Sequence, residues 1–587
     1  MLMKNTVTLA MIVKNEAANL EACLESVRGQ VSEIVIVDTG SSDNTVEIAR
    51  KYTDKVYHYP WHEDFSAARN YAIEKATGDW ILSLDADEEL LPGTGYLEQL
   101  SSGDNHLEAY LLPLNNHTSD TTGQYNTFLV LRLFKNDGRY RFKGRIHEQV
   151  TIPDSEAVGI AQGPVIGHKR PPAKERNRKR KRNLTLLKKA YTEDPDNDFL
   201  RYYLGVEWLA LGKPDRALPF FRLAYENLTD NQILFRGPAL RYLVMCLHAQ
   251  GRLEEATALC LNAQERYPAF TDIYYLCGVL FAEKKEYRQA VKQLIKAVEC
   301  GTPPVLYSHM SGTESFLAYY HLGHCHEMLG QVETARRYYE QALEINSDYI
   351  YPVYSLFLIV QAEHGLRRAL GYLADKGYLN KTPLALAVAD QFYRLGYPDL
   401  SRRCLEARET GRRTDEYSYY LGLYSIYSGK LRRGIKYLNR ISEHSRFYPR
   451  AQVDKALALL LLGHYVQARL LVLELWKHRA ARRDARVLLR LARYMQAQGT
   501  GGYHLKTPET VLLKPALDIY DRCSRYLPDG VDRKGTISID VLIGSLESII
   551  LECTPEGYDA LCKQLQDRAQ NIRALMEYKF GPGGNRT

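Results

Sequence analysis

The first 76 residues alternate short apolar runs with amphipathic segments. The runs "TLAMIV", "EIVIVD" and "KVYHYP" predict strands, and the intervening "EAANLEACLESV", "NTVEIARKY" and "FSAARNYAIEKA" predict helices. Strands that alternate with helices are typical of a parallel sheet covered by helices. We therefore expect an α/β domain at the amino terminus, and we interpret the first apolar run as a strand rather than a signal peptide.

After residue 194 amphipathic helices follow one another in a repeat of about 34 residues. The predicted turns between paired helices are Gly212, Gly251, Lys285, Gly330, Gly365, Gly396, Gly429 and Gly463. In seven of these eight turns the fifth following residue is small, which lets the second helix pack closely. The longest interval contains "CGTPPVLYSHMSGTES", whose Pro, Gly and Ser content predicts an inserted loop. The pattern predicts a helical solenoid.

Length and composition bound the organisation further. A chain of 587 residues exceeds one ordinary core, and no apolar run of about 18 residues is present to span a membrane. Ten cysteines without a Cys-x-x-Cys pair argue against a disulfide framework or a structural zinc site and favour the cytoplasm. The expected domains are residues 1–175 (α/β), 176–194 (basic junction helix), 195–500 (solenoid) and 501–587 (helices and tail).

The net charge of +7 is concentrated in "PPAKERNRKRKRN", residues 171–183. This run predicts either a solvated junction helix or a contact with an anionic partner. Nucleic acid is not expected as that partner, because no motif that reads nucleic acid accompanies the basic residues.

The stretch "WILSLDADEELLPG" follows an apolar strand with four carboxylates: Asp85, Asp87, Glu88 and Glu89. Like charges this close are unfavourable unless a cation or solvent screens them. Side chains two apart in a strand project to the same face, so Asp85 and Asp87 could hold Mg²⁺ or Mn²⁺ together with a phosphorylated ligand. The alternative is an acidic surface turn.

Several motifs occur in a fixed order: "TLAMIVKNE", "EIVIVDTGSSDNT", "EDFSAARN", "ATGDWILSLDADEEL", "LRLFKN" and "FKGRIHEQV". With these motifs the first 175 residues resemble glycosyltransferase family 2, and the helical segments resemble tetratricopeptide repeats. The pairing resembles a bacterial subgroup of the family and, more distantly, sublancin S-glycosyltransferase. The resemblance implies a Rossmann-like GT-A domain (α/β) followed by an all-α tetratricopeptide-repeat solenoid, and a metal-dependent sugar transfer.

The resemblance also implies roles for individual residues. The implied donor-binding residues are Val13, Asn15, Glu16, Asp38, Arg69, Asp85 and Asp87. Asp38 would accept a hydrogen bond from the nucleotide base, and Arg69 would lie against the nucleotide or its phosphates; a helix-surface salt bridge is the alternative for Arg69. The implied ligands of Mn²⁺ or Mg²⁺ are Asp85, Asp87 and His168, although His168 could be an ordinary loop residue.

Direct displacement at a sugar carbon needs a general base. Glu148 is the first candidate, because His147-Glu148 lies where this subgroup carries an acceptor-side His-Glu motif. Glu89, or its neighbour Glu88, is the second candidate. The alternative for Glu148 is a structural ion pair with Arg145 or Arg141.

These features predict an inverting glycosyltransferase that uses a nucleotide sugar. The expected donor is a UDP-sugar, and the expected acceptor is a peptide or protein presented by the repeats. The acceptor atom, whether oxygen, sulfur or nitrogen, is left open. Tyrosines in "EYSYYLGLYSIYSG", with Tyr417 expected at the surface, could form a stacking groove or could be ordinary core residues. The alternatives are a lipid-linked or polysaccharide acceptor, a non-catalytic scaffold, and repeats that serve a homodimer.

Overall fold

The computed structural model describes residues 5–102, 106–118, 123–406, 414–496, 510–527, 539–553 and 563. The chain forms two compact units, residues 1–352 and 353–587. This division differs from the predicted domain boundaries, because the first helical repeats pack in the same unit as the sheet.

Twelve strands lie in the described residues. They are β1 (Val7–Val13), β2 (Glu33–Asp38), β3 (Val56–His58), β4 (Trp80–Ser83), β5 (Glu88–Leu90), β6 (Ala109–His117), β7 (Tyr125–Lys135), β8 (Phe142–Lys143), β9 (Gln149–Val150), β10 (Val158–Ile160), β11 (Ile166–His168) and β12 (His309–Met310). Ten of them form one sheet, in which the order β3-β2-β1-β4-β7-β6-β11-β5 is flanked by β10 on β6 and β12 on β7. Strands β8 and β9 form a separate hairpin.

The order of the strands reverses beside β1. Strand β1 is parallel to both of its neighbours, β2 on one side and β4 on the other. The chain runs outward from β1 through β2 to β3 and then returns to the far side of β1 as β4. A crevice forms at such a switch point, beyond the carboxyl ends of the strands. The predicted α/β architecture is confirmed, and this edge of the sheet is where a ligand is expected.

Four short helices cover the sheet: α1 (Leu20–Ser26), α2 (Thr45–Ala49), α3 (Phe65–Glu74) and α4 (Leu97–Ser101). Neighbouring strand residues alternate between two apolar clusters, with Leu9 in one and Ala10 in the other. Burial on both faces explains why the strand sequences are continuously apolar. The Asp64 carboxylate accepts a hydrogen bond from Ala67 N, which starts α3 and so fixes the helix that carries Arg69.

The remainder of the described chain is almost entirely helical. Its helices are α5 (Ala173–Glu193), α6 (Asp198–Ala210), α7 (Pro214–Asn227), α8 (Ile233–Ala249), α9 (Leu253–Arg266), α10 (Thr271–Glu283), α11 (Tyr287–Cys300), α12 (Phe316–Met328), α13 (Val332–Ile345), α14 (Tyr351–His364), α15 (Leu366–Asp375), α16 (Thr382–Arg394), α17 (Pro398–Glu406), α18 (Asp415–Tyr427), α19 (Leu431–Leu438), α20 (Tyr448–Leu461), α21 (Tyr465–Leu475), α22 (Arg482–Gln496), α23 (Leu513–Tyr526) and α24 (Ile539–Cys553). Among the described residues, no helix combines the length and apolarity needed to cross a bilayer.

The eight predicted turns all separate consecutive helices, and all eight residues have a positive φ. Seven of these residues are glycines, which adopt this conformation without steric cost. Lys285 is the exception, with φ 62°. The predicted solenoid of paired helices is therefore confirmed at its turns.

A second set of glycines, in the first helix of four pairs, lets the paired helices approach closely. The residue sixteen positions later lies against the glycine each time: Gly205 on Phe221, Gly278 on Leu294, Gly323 on Tyr339 and Gly422 on Leu438. A Cβ at any of these glycines would lie within 2.8 Å of the partner side chain. Three of these glycines follow a leucine and Gly278 follows Cys277, and the glycine itself is the packing requirement.

The inserted loop between α11 and α12 contributes a strand to the sheet. Its strand β12 is antiparallel to the start of β7, with His309 opposite Thr127. A buried charge network holds the loop: the Asp272 carboxylate contacts Arg241 Nη1 at 2.8 Å and His309 Nδ1 at 3.0 Å, and Arg241 Nη2 donates to Ser308 Oγ at 3.0 Å. Glu314 lies 3.0 Å from the other ring nitrogen of His309. The loop thereby joins the helical repeats to the sheet.

The tyrosines of "EYSYYLGLYSIYSG" lie in the second unit, mostly within its core. Tyr417, Tyr424 and Tyr427 are each at most 2% exposed, so the expectation that Tyr417 lies at the surface is wrong. The Tyr417 hydroxyl donates to the Leu405 carbonyl, so this side chain links α18 to α17 within the core. The structure favours the core interpretation of these tyrosines over a stacking groove.

Candidate functional site

Two loops at the carboxyl ends of β1 and β2 are tied together by hydrogen bonds. Asn15 Oδ1 accepts from Ser42 N at 2.7 Å, and Asn15 N donates to Ser41 Oγ at 2.9 Å. Asn15 has φ 57°, an uncommon conformation for a residue other than glycine. Val13 is buried, and its carbonyl accepts from Thr39 N at 3.0 Å. Val13 and Asn15 therefore shape the wall of the crevice in this structure.

Asp38 ends β2 at the floor of the same crevice. Its carboxylate accepts from the backbone N–H groups of Gly40 at 3.0 Å and Ser41 at 3.1 Å, and His58 Nδ1 lies 3.6 Å away. These bonds fix the carboxylate, which is 6% exposed, at the carboxyl edge of the sheet. Its predicted role toward a nucleotide base stays a prediction.

Five charged side chains form an alternating chain across the end of β4. Arg69 Nε donates to Glu148 Oε1 at 2.5 Å and Arg69 Nη2 donates to Asp85 Oδ1 at 2.5 Å. Arg132, from β7, lies 3.2 Å from Asp85 Oδ2 and 2.6 Å from Glu88 Oε1. Each guanidinium group is therefore paired with two carboxylates. Glu148 pairs with Arg69, and not with Arg141 or Arg145 as its alternative structural role proposed.

The two arginines set the charge of Asp85. Burial opposes ionisation of this carboxyl, but the neighbouring guanidinium groups of Arg69 and Arg132 outweigh burial and hold its pKa well below the usual range. Burial raises the pKa of Glu88, which also accepts from Asp85 N at 2.9 Å. Glu88 is 3% exposed and serves to fix the turn after β4.

Asp87 lies in a second cluster, between β1 and β4. Its Oδ2 is 3.2 Å from Lys179 Nζ and 3.5 Å from His168 Nε2. Lys179 Nζ also lies 3.3 Å from Glu16 Oε1, and His168 Nδ1 contacts Asn116 Oδ1 at 3.2 Å. Burial would raise the pKa of Asp87, but His168 and Lys179 outweigh it and lower that pKa. Asp87 and His168, two of the implied metal ligands, therefore lie together with an ammonium group from the basic run.

The predicted metal ligands do not form a ready-made site. Both carboxylate oxygens of Asp85 pair with arginines, whereas Asp87 pairs with His168 and Lys179. Within the described parts of the chain, no group of three or more His, Cys, Asp or Glu side chains is arranged to hold a metal ion. Where a divalent cation would neutralise Asp87, the Lys179 ammonium lies instead.

The two candidate bases have different surroundings. The Glu148 side chain is 10% exposed and shares the buried network with Arg69. The Glu89 side chain is 26% exposed and pairs with Lys169, which follows β11. Glu148 lies within the charged cluster at the end of β4, whereas Glu89 points to its rim.

The loop that carries Glu148 rests on the first repeat helix. His147 has φ 49°, and its ring stacks on Tyr203 of α6 with centroids 3.9 Å apart and planes within 3°. His147 Nε2 lies 3.7 Å from Glu207 Oε1, and Arg180 of α5 lies 3.2 Å from the other Glu207 oxygen. The helical region therefore sets the position of the loop on which the acceptor is expected.

Four residues that contact the candidate site were not predicted from the sequence: Arg132, Lys179, Tyr203 and Glu207. Arg132 belongs to the quoted motif "LRLFKN", but nothing in the motif indicated its partners. Lys179 belongs to the basic run, for which a fully solvated helix is wrong, since Lys179 and Arg180 pair with buried carboxylates. The concentration of charge in so short a run was the available signal.

Comparisons with known proteins agree with this arrangement. Residues 8–138 match the family described as Glycosyl transferase family 2, and residues 316–349, which span α12 and α13, match Tetratricopeptide repeat. A TPR repeat-containing protein of Synechococcus elongatus is 45% identical over 144 residues, which are 24% of this chain and 35% of that relative. The chain thus spans about a third of the length of this relative.

Two further relatives carry glycosyltransferase names. The prophage-derived glycosyltransferase SunS of Bacillus subtilis is 25% identical over 49% of this chain and 70% of the relative. The lipopolysaccharide core biosynthesis glycosyltransferase LpsC of Rhizobium meliloti is 29% identical over 29% of this chain and 66% of the relative. The amino-terminal part of the chain is therefore a glycosyltransferase family 2 domain, joined to a helical region that contains a tetratricopeptide repeat.

Proposed function

We propose that the protein is a glycosyltransferase that moves a sugar from a nucleotide sugar to a peptide or protein acceptor. The observation that carries the proposal is that Asp38, Asp85 and Asp87 follow or end strands at the switch point of a glycosyltransferase family 2 domain, with Arg69 paired to Asp85. Ligands of open α/β sheets lie in the crevice at this edge. A UDP-sugar is the preferred donor.

Asp38 is suited to contact the nucleotide base. An ionised carboxylate offers about four acceptor positions, and the backbone of Gly40 and Ser41 uses only part of them. A ring N–H, such as that of uracil, would complete the set. A requirement for Mn²⁺ or Mg²⁺ remains a separate prediction, because the described residues do not assemble three ligands.

In an inverting displacement the acceptor atom forms a bond to the anomeric carbon while the bond from that carbon to the diphosphate oxygen breaks. The acceptor proton passes to a general base. We assign this role to Glu148: Oε1 accepts from Arg69, and the second carboxylate oxygen is available for the acceptor proton. The leaving diphosphate retains the electron pair of the broken bond.

The repeats are proposed to present the acceptor. Support comes from α6, whose Tyr203 and Glu207 contact the His147 loop beside the proposed base. Stacked helical repeats form surfaces that bind extended chains. A saccharide acceptor is the second candidate, favoured by the name of the Rhizobium meliloti relative.

The proposal is tested with a panel of UDP- and GDP-sugars, with Mn²⁺, with Mg²⁺ and with EDTA, measured by release of the nucleoside diphosphate. We expect slow release from at least one donor by the full chain, and a loss of about 100-fold in Asp87→Asn. The matched control is Asp54→Asn, which removes an exposed carboxylate before β3, at the edge of the sheet opposite the carboxyl ends of the strands, and should retain full activity.

If no donor releases its nucleoside diphosphate, with or without acceptors, the proposal is contradicted and a non-catalytic scaffold is favoured. The acceptor is identified in a second assay that offers the active donor to cellular peptides and, separately, to polysaccharide or lipid-linked saccharides. We expect transfer to peptide. Transfer to the saccharides alone would overturn the acceptor assignment and leave the glycosyltransferase assignment intact.

A further inference from the structure

Helix α5 carries the basic run of the sequence, but its cations have different surroundings. Lys179 and Arg180 point into the folded unit and pair with carboxylates, and the Arg182 guanidinium lies 5.3 Å from the Phe65 ring centroid. Lys174 and Lys181 are exposed. One face of the helix is therefore part of the site, and Lys179 is its innermost cation.

Lys179 lies at the switch point itself. Its ammonium nitrogen bridges Glu16, which follows β1, and Asp87, which follows β4, at 3.3 and 3.2 Å. These strands are the parallel neighbours at which the order of the sheet reverses. A ligand that enters this crevice meets the ammonium group between the two strand ends.

The three cations of the site all pair with carboxylates, Lys179 also with Glu175 at 3.4 Å, but they differ in exposure. Arg69 and Arg132 are each bonded to two carboxylates of the protein, and both side chains are at most 12% exposed. Lys179 is 27% exposed, and its flexible stem carries a compact charge that can exchange one anion for another. A lysine of this kind is a common ligand of phosphate groups.

The acidic surroundings pose a charge problem for an anionic donor. Asp85 and the buried Glu88 are already paired with Arg69 and Arg132, but Asp87 and Glu16 share Lys179, and the described residues supply no three-ligand metal site beside them. A nucleotide sugar would bring a diphosphate, with two further negative charges, toward this cluster. A mobile cation between β1 and β4 resolves the conflict.

We propose that Lys179 is a donor-binding residue whose ammonium group pairs with Asp87 and Glu16 in the free protein and with the diphosphate of the bound nucleotide sugar. This inference rests on the proposed function. It assigns to the basic helix, rather than to a divalent cation alone, the positive charge that faces the leaving group. Lys179 thereby belongs to the donor site, although it lies outside the residues matched to glycosyltransferase family 2.

The test measures binding of UDP and GDP to the full chain by titration calorimetry, with EDTA in one series and Mn²⁺ in the other. We expect the wild type to bind one of them in EDTA. Lys179→Met should weaken that binding by about 10- to 100-fold, the contribution of one charge-assisted hydrogen bond or ion pair to a desolvated anion. Lys179→Arg should retain most of the affinity.

Lys181→Met is the matched control, because it removes the same charge from an exposed position two residues along the same helix. Its affinity for the diphosphate should equal that of the wild type. A second readout is the affinity for Mn²⁺ without nucleotide, which should rise in Lys179→Met because the competing ammonium has been removed from Asp87. An unchanged affinity for Mn²⁺ would contradict the placement of the Lys179 ammonium against Asp87 in the free protein.

The outcomes separate the two proposals. Equal diphosphate affinity of Lys179→Met and the wild type overturns the role of Lys179, as does wild-type binding that occurs only with Mn²⁺. Absence of diphosphate binding by the wild type in both series overturns the proposed function instead. If Lys179→Met does not fold, as judged by circular dichroism, Lys179→Gln and Lys179→Arg are compared in its place, and equal affinity of these two overturns the inference.

Discussion

Glu148 and Glu89 differ in what each carboxylate contacts, and this difference yields a prediction at the scale of single residues. Glu148→Gln keeps an oxygen that accepts from Arg69 Nε, so the His147 loop should stay in place. It loses the ability to take a proton. We expect nucleoside diphosphate affinity within about threefold of the wild type and transfer slower by about 100-fold or more, measured as initial rates of acceptor glycosylation.

The matched variant is Glu89→Gln, which removes an exposed ion pair with Lys169. Surface pairs of this kind contribute little, so its transfer rate should stay near that of the wild type. Normal transfer by Glu148→Gln together with slow transfer by Glu89→Gln would reassign the base to Glu89.

The positions of single carboxylates could be predicted, but their partners could not. Asp38 and Asp85 each follow an apolar run, and the run alone places them at the edge of the sheet. Arg132 reaches Asp85 from a strand 47 residues later in the chain, and Lys179 reaches Asp87 across 92 residues. Such pairs depend on how the strands and helices are packed, which no local pattern specifies.

At the scale of elements, the repeat turns show a single deviation from glycine. Lys285 adopts φ 62° at the position that is glycine in the other seven predicted turns. A left-handed conformation costs a lysine about 1 kcal/mol, and glycine avoids this cost. Glycine also gains more conformational entropy in the unfolded chain, which offsets part of the benefit. We expect Lys285→Gly to raise the free energy of unfolding by about 0.5 kcal/mol, measured by urea titration.

The reciprocal control is Gly251→Ala, at the turn before it, where φ is 71° and nothing lies within 4 Å of a new Cβ. This change should destabilise the protein by about 1 kcal/mol through the backbone alone. Opposite signs for the two variants support the conformational explanation. Destabilisation by both would show that the Lys285 side chain contributes a contact of its own.

The helix pairs were predictable because their turns and small residues recur in phase. The insertion between α11 and α12 was predicted only as a loop, since two residues of strand carry no periodicity that a sequence pattern can reveal. Pairing of His309 and Met310 with β7 is a tertiary event. The sequence therefore predicted the inserted loop but not its pairing with β7.

For the first compact unit as a whole, His309 links the repeats to the sheet in a pH-dependent way. Burial favours the neutral ring, but the bonds to Asp272 and Glu314 outweigh it and raise the pKa of His309 to about 9. Because the pKa of His309 is higher in the folded protein than in the unfolded chain, the charged ring stabilises the fold. This contribution is complete below the unfolded pKa of about 6.5 and is lost as the pH rises through 9.

We therefore expect His309→Gln to lower the free energy of unfolding by about 2 to 3 kcal/mol at pH 6, with a deficit that shrinks toward pH 9.5. Thermal unfolding of both proteins across this range measures the deficit. His444→Gln, at an exposed histidine, should show no such trend. A deficit that is constant with pH would mean that the charge on His309 does not matter.

The predicted boundary near residue 175 separates parts that the structure holds together. Lys179, Tyr203 and Glu207 contact the candidate site from the helical side. A chain that ended near Pro171 would lack all of them, and the compact unit extends through residues 1–352. Composition marks where helices begin, which is not where the functional unit ends.

Strand β12 has a consequence for how the protein is made. A ribosome that adds roughly 5 to 20 residues per second needs on the order of ten to forty seconds to pass from β7 to the strand that pairs with its start. During that interval the edge of the sheet at Asn126 and Thr127 is open to other chains. This edge therefore stays unpaired in the nascent chain until β12, which follows the eleventh helix, has been synthesised.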